Sequence, residues 1–157
     1  MLVTGNNHQF IQNLIANLKT AFSLKEPIPV SMFLGIRITP VPDGHFLDQQ
    51  QYSQAILQTS GFLNCKPSTT PIALKSQTQT APAQPSHDST FYRQLVGSLQ
   101  YLTITRPDIT FSTNQICQHM HDPKPINFKA MKRLLRYIQG TIAYGLALLY
   151  SNLDLST

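Results

Sequence analysis

The stretches Phe91-Tyr-Arg-Gln-Leu-Val-Gly-Ser-Leu-Gln-Tyr-Leu-Thr-Ile-Thr-Arg-Pro-Asp-Ile109 and Phe128-Lys-Ala-Met-Lys-Arg-Leu-Leu-Arg-Tyr-Ile-Gln-Gly-Thr141 decide the fold of the second half of the chain. In the first, Phe91, Leu95, Leu99 and Leu102 recur at helical spacing, which leaves Arg93, Gly97, Gln100 and Tyr101 on the opposite side. In the second, Met131, Leu134, Leu135 and Ile138 make the apolar stripe, and Lys129, Lys132, Arg133 and Arg136 repeat the same spacing across the helix. Pro107 suits a first helical position and opens a helix between them. Three helices are expected, at about Thr90–Thr103, Pro107–His119 and Ile126–Ile138, the last closed by Gly140.

Outward from this block, Met1-Leu-Val-Thr-Gly5 reads as the tail of a strand ending in a turn. Asn6 or Asn7 then caps a helix striped by Ile11, Leu14, Ile15, Leu18 and Phe22, which Pro27 and Pro29 end. Met32-Phe-Leu-Gly-Ile-Arg-Ile38 is strand-like, and Pro42-Asp-Gly44 turns into a second strand, His45-Phe-Leu47. Asp48 and Gln51 form a capping-box pattern for a helix through Tyr52, Ala55 and Ile56, closed by Gly61. From Pro67 to Ser89 the chain is Pro, Ser, Thr, Gln and Ala, the composition of a mobile linker. Gly145-Leu-Ala-Leu-Leu-Tyr150 reads as a last strand with no nearby partner in sequence.

The 157 residues suit one domain, and a hydrophobic content of 41% supports a small core. The net charge of +5 favours anionic partners such as nucleic acid. Seven of the twelve Lys and Arg residues lie between Arg93 and Arg136, against only Asp108 and Asp122. Cys65 and Cys117 make no disulfide framework, so a reducing compartment is the default. No basic, apolar leader and no membrane-length stretch is visible, so the chain reads as soluble.

The quoted stretches resemble the region just past the polymerase active site in the reverse transcriptases of copia-type LTR retrotransposons. They also resemble plant mitochondrial-genome reading frames derived from such elements. The resemblance implies an α+β fold: a partial polymerase palm with a β-hairpin and helices, then a three-helix thumb-like bundle, together an incomplete domain. Residues 1–66 would be distal palm with a primer-grip-like hairpin and 67–89 a linker. Residues 90–141 would be the thumb-like region, and 142–157 a strand leading toward an absent ribonuclease H domain. Gln-Leu-Val-Gly-Ser-Leu resembles the thumb helix of retroviral reverse transcriptases, where Arg or Gln, Gly and an aromatic residue track the duplex. That role falls on Arg93, Gly97 and Tyr101.

A mid-helix glycine costs roughly 0.5–1 kcal/mol against alanine, so Gly97 implies either close helix–helix packing or a bare surface for a minor groove. The cations Lys129, Lys132, Arg133 and Arg136 make either a solvated face or a phosphate-facing one, which positions nucleic acid without reading its sequence. If they are phosphate contacts, Arg133→Glu with Arg136→Glu should weaken duplex binding while leaving helicity nearly unchanged. The hairpin Phe33-Leu-Gly-Ile-Arg37, turn, His45-Phe-Leu47 looks like the primer grip, where Gly35 would let a phosphate approach and Arg37 would neutralise it, with an ordinary edge hairpin as the alternative. Arg106-Pro-Asp108 is specific to the family, and the favoured local reading is an ion pair, with a phosphate as the alternative.

Metal chemistry finds little support. Cys117 and His121 share a helical face without His119, and no second ligand pair has zinc spacing, so no metal site and no cofactor is expected. Two-metal nucleotidyl transfer needs clustered carboxylates. The seven acids Glu26, Asp43, Asp48, Asp88, Asp108, Asp122 and Asp154 include no sequence neighbours. The resemblance implies that a Tyr-x-Asp-Asp hairpin, which in the parent polymerase binds magnesium, would precede Met1. It also implies that Ser151-Asn-Leu-Asp-Leu155 leads into ribonuclease H, with Asp154 no substitute for its first carboxylate.

The expected function is therefore a truncated copia-type reverse transcriptase fragment that keeps template–primer contact surfaces and lacks catalytic residues. Its partner would be an RNA–DNA or DNA duplex, with no membrane and no small-molecule substrate. Two alternatives stand: a piece of a longer, active polyprotein, or a non-catalytic interaction module self-associating through the strands Leu2–Thr4 and Gly145–Tyr150. The family implies a cytoplasmic location, and the mitochondrial reading frames leave that organelle open.

Overall fold

The computed structural model describes residues 2–73 and 88–150. Among them are five α-helices, one 3-10 turn and a four-stranded antiparallel sheet of order β1-β2-β3-β4. The expectation for Ser151–Leu155 and most of the expected linker, residues 74–87, lie outside the described residues.

Helix α1, His8–Ala21, starts where Asn7 Oδ1 accepts the Phe10 N–H at 3.0 Å. No residue of α1 is buried, and Phe10 and Phe22 stand in solvent. Residues 2–5, expected to be a strand, belong to no element.

The strand expected over Met32–Ile38 is instead a hairpin of β1, Met32–Phe33, and β2, Ile36–Val41. The chain reverses at Leu34-Gly35, both with positive φ of 47° and 72°. That is the two-residue turn whose twist matches paired strands. Its usual Asn-Gly or Asp-Gly signature is missing, which is why periodicity alone read through it.

Pro42 and Asp43 connect β2 to β3, Gly44–Asp48, as expected. The surprise is the partner of β4, Leu146–Leu149, which pairs antiparallel with β3 across a hundred residues of chain. Gly44 sits opposite Leu149, where an added Cβ would meet the Leu148 carbonyl oxygen at 1.9 Å. The last strand, with no partner nearby in sequence as read, finds one far along the chain and completes the sheet as its edge, so one of its sides is not open to self-association.

Helix α2, Gln50–Ser60, ends at Gly61 in the left-handed conformation, as read. The capping box does not form. Asp48 Oδ1 instead accepts the Gln50 N–H at 3.1 Å, while its other oxygen takes Arg37.

Helix α3, Ser89–Leu102, is capped by Asp88, which accepts from the N–H groups of Thr90 and Phe91 at 2.8 and 3.2 Å. The 3-10 turn Pro107–Ile109 precedes α4, Thr110–Cys117, so the expected middle helix is split. Helix α5, Pro125–Gly140, follows. Tyr92, Val96, Leu99, Leu102, Leu134 and Leu135 are buried among these helices, joined by Ile56 and Leu57 of α2. Tyr92 donates its hydroxyl to the Ile116 carbonyl at 2.8 Å, and burial, with a smaller effect from Cys117, pushes it up to about 12. The core thus joins α2 to the helices on the far side of residue 67.

Candidate nucleic-acid interface

Helix α3 turns Arg93 and Gly97 outward, as its pattern dictates. A Cβ built on Gly97 meets nothing within 4 Å. Close packing therefore does not account for this glycine among the described residues. Arg93 makes one long contact, Nη2 to Ser89 Oγ at 3.5 Å.

Tyr101 is not free on that face. Its hydroxyl donates to the Leu34 carbonyl, and its ring meets Tyr52 edge-on at 5.2 Å. The aromatic residue expected to track a duplex thus clamps α3 to the turn of the first hairpin. Behind it, the Thr105 hydroxyl donates to Gln49 Oε1 at 2.9 Å between two buried residues. Both ties cross more than fifty residues of sequence, so no local pattern announces them.

Gly35 lies in the turn at Leu34-Gly35, where the chain reverses, rather than within a strand. Arg37 donates from Nε to Asp48 and from Nη2 to Gln50, both at 2.9 Å. Its guanidinium fixes β2 to the start of α2 and is occupied by an internal carboxylate.

The four cations of α5 divide. Arg133 donates to Thr70 Oγ1 and Arg136 to the Lys66 carbonyl, each at 2.7 Å. The Ser68 N–H donates back to the Arg136 carbonyl at 3.1 Å. Residues 66–73, the first part of the expected linker, are laid along α5 by these bonds. Lys129 and Lys132 remain exposed.

Arg106 takes the ion-pair alternative. It is 1% exposed, and its Nε and Nη2 bind both oxygens of Asp108 at 2.9 and 2.8 Å. Its remaining donors reach the Thr141 carbonyl and hydroxyl at 2.9 and 2.7 Å. The rings of Tyr137 and Tyr144 flank it. Burial raises the Asp108 carboxyl, but the bonds and charge of Arg106 and the Tyr137 hydroxyl outweigh it, so the group lies below the usual range. No phosphate role is left for Arg106. Tyr137, Thr141 and Tyr144 completed this cluster unannounced, since each is distant in sequence from Arg106. Among the described residues, no three His, Cys, Asp or Glu side chains gather as a metal site would require.

The family model for reverse transcriptase (RNA-dependent DNA polymerase) matches residues 1–74. The retrovirus-related Pol polyprotein from transposon RE1 of Arabidopsis thaliana is 39% identical over 97% of this chain. The chain is homologous to the reverse-transcriptase region of copia-type retrotransposon Pol polyproteins.

An uncharacterized mitochondrial protein of Arabidopsis thaliana is 45% identical over 93% of the chain. The Pol polyprotein from transposon TNT 1-94 of Nicotiana tabacum is 29% identical over 90% of it. The chain spans 60% of the mitochondrial protein and about a tenth of the Pol polyproteins. No solved structure matches. The family model covers α1, β1 to β3 and α2, while the similarity to the polyprotein continues across α3 to α5. No helix among the described residues is long and apolar enough to cross a membrane.

Proposed function

We propose that the chain forms a template–primer contact surface of a copia-type reverse transcriptase, with α3 as its thumb-like helix. Gly97 bares the backbone to a minor groove, Arg93 takes a flanking phosphate, and Lys129 and Lys132 of α5 supply two further phosphate contacts. The observation that carries this reading is the open space over Gly97. A residue that weakens its own helix and fills no packing need is explained by something outside the chain. Homology to reverse transcriptases supplies the partner class, an RNA–DNA or DNA duplex.

Anisotropy of a labelled RNA–DNA hybrid, titrated with protein across a salt series, tests it. Binding should weaken with salt at a log–log slope of about −0.9 per phosphate neutralised, and Arg93→Glu should reduce both affinity and slope. Salt-independent binding, or full affinity in Arg93→Glu, refutes the assignment.

The short share of each Pol polyprotein covered favours a second reading, in which polymerisation belongs to a longer polypeptide that includes this segment. An in-frame Tyr-x-Asp-Asp coding run immediately upstream in the source nucleic acid would support it, and a stop codon there would end it.

A further inference from the structure

A cleft of about 480 Å³ opens between the segment 71–73, α4 and α5. Small-molecule sites typically measure about 300–1,000 Å³. Its walls are apolar, formed chiefly by Ile72, Ile116 and Ile126. Along the α5 side stand Lys129, Lys132, Arg133 and Arg136, and among the described residues no acidic side chain lines it. Two polar atoms in this wall have no partner: the Oγ of Ser112, a residue 5% exposed, and the Nε of Arg133. Buried donors are normally satisfied. Both atoms are closed off from solvent in this arrangement.

Apolar walls and a row of cations along α5 describe one chemistry. We propose that the cleft binds a small amphipathic anion: a hydrocarbon or aryl body carrying a single carboxylate, sulfonate or phosphate. The body lies on the isoleucines, and the charged end meets the Lys129, Lys132 and Arg133 side. A nucleotide is disfavoured, because its base brings several donors and acceptors to walls that answer few of them. The site shares two lysines with the duplex surface but not its α3 residues, so either assignment can fail without the other.

The test uses the full chain and 8-anilinonaphthalene-1-sulfonate, an aryl sulfonate whose fluorescence rises on leaving water. A saturable component should appear. Ala130→Trp, an exposed position on the cleft wall, should abolish it with unchanged circular dichroism. Lys129→Glu with Lys132→Glu should weaken it by about tenfold or more. Should Ala130→Trp disturb the fold, the half-exposed Ile126→Asn replaces it. Monomeric dodecanoate should displace the probe, and adenosine monophosphate should not. Absence of a saturable component, a component untouched by the cleft variant, or displacement by the nucleotide at the same concentration as dodecanoate overturns the proposal.

Discussion

Arg106 and Asp108 face each other two residues apart, both guanidinium–carboxylate bonds made, with the arginine sealed from solvent and the aspartate at the rim. The same guanidinium holds the chain just after α5 through Thr141, at the start of the turn that leads to β4. One ion pair therefore fixes where the last strand leaves the helical core and returns to the sheet.

Breaking that pair should be costly in an asymmetric way. Asp108→Ala strands a buried cation and should cost about 3–5 kcal/mol, whereas Arg106→Met leaves a rim carboxylate that water can reach and should cost less. Urea denaturation of both variants gives the order. A greater loss in Arg106→Met would mean that its contacts with Thr141 outweigh the ion pair.

The pair also sets an acid limit. The folded Asp108 carboxyl is held below its ordinary value, so its contribution is present above the unfolded value of about 3.9. It is lost as pH falls from there through the lower folded value. Melting temperature should therefore be flat in this contribution near neutrality and fall below about pH 4. Asp108→Asn should show a shallower acid slope, and an identical slope would remove the residue from the linkage.

Gly97→Ala separates stability from binding. With nothing near the added methyl, the variant should gain roughly 0.5–1 kcal/mol of helix stability. Under the duplex proposal it should bind the hybrid more weakly. A variant both stabler and equally tight would leave the glycine without a nucleic-acid role.

The four cations of α5 are not equivalent. Arg133→Glu with Arg136→Glu removes bonds to Thr70 and Lys66, so it should lower the melting temperature rather than leave the fold untouched. Lys129→Glu with Lys132→Glu, both exposed, should preserve the melting temperature and reduce the salt slope of duplex binding by about 0.9 per lysine. Differential scanning fluorimetry beside anisotropy distinguishes the two pairs.

What could be read before any coordinates was whatever is encoded within a few residues. Asn7 at the start of α1, Gly61 at the end of α2, and the apolar stripes of α3 and α5 follow from local hydrogen bonding and helical period. The outward placement of Arg93 and Gly97 follows from the same period. The sequence by itself also settled ancestry, because motif text survives whatever the fold does with it.

Tertiary structure decided which of those residues remain available. Tyr101 lay on an outward face by period, yet Leu34 claims its hydroxyl. Arg37 carried the charge a phosphate needs, yet it pairs with Asp48, while Arg133 and Arg136 each spend a donor on Thr70 and Lys66. The edge at β3 went to Leu146–Leu149 from the far end of the chain. Such pairings depend on distances across space between residues remote in sequence, and periodicity fixes the face a side chain occupies without fixing what meets it there.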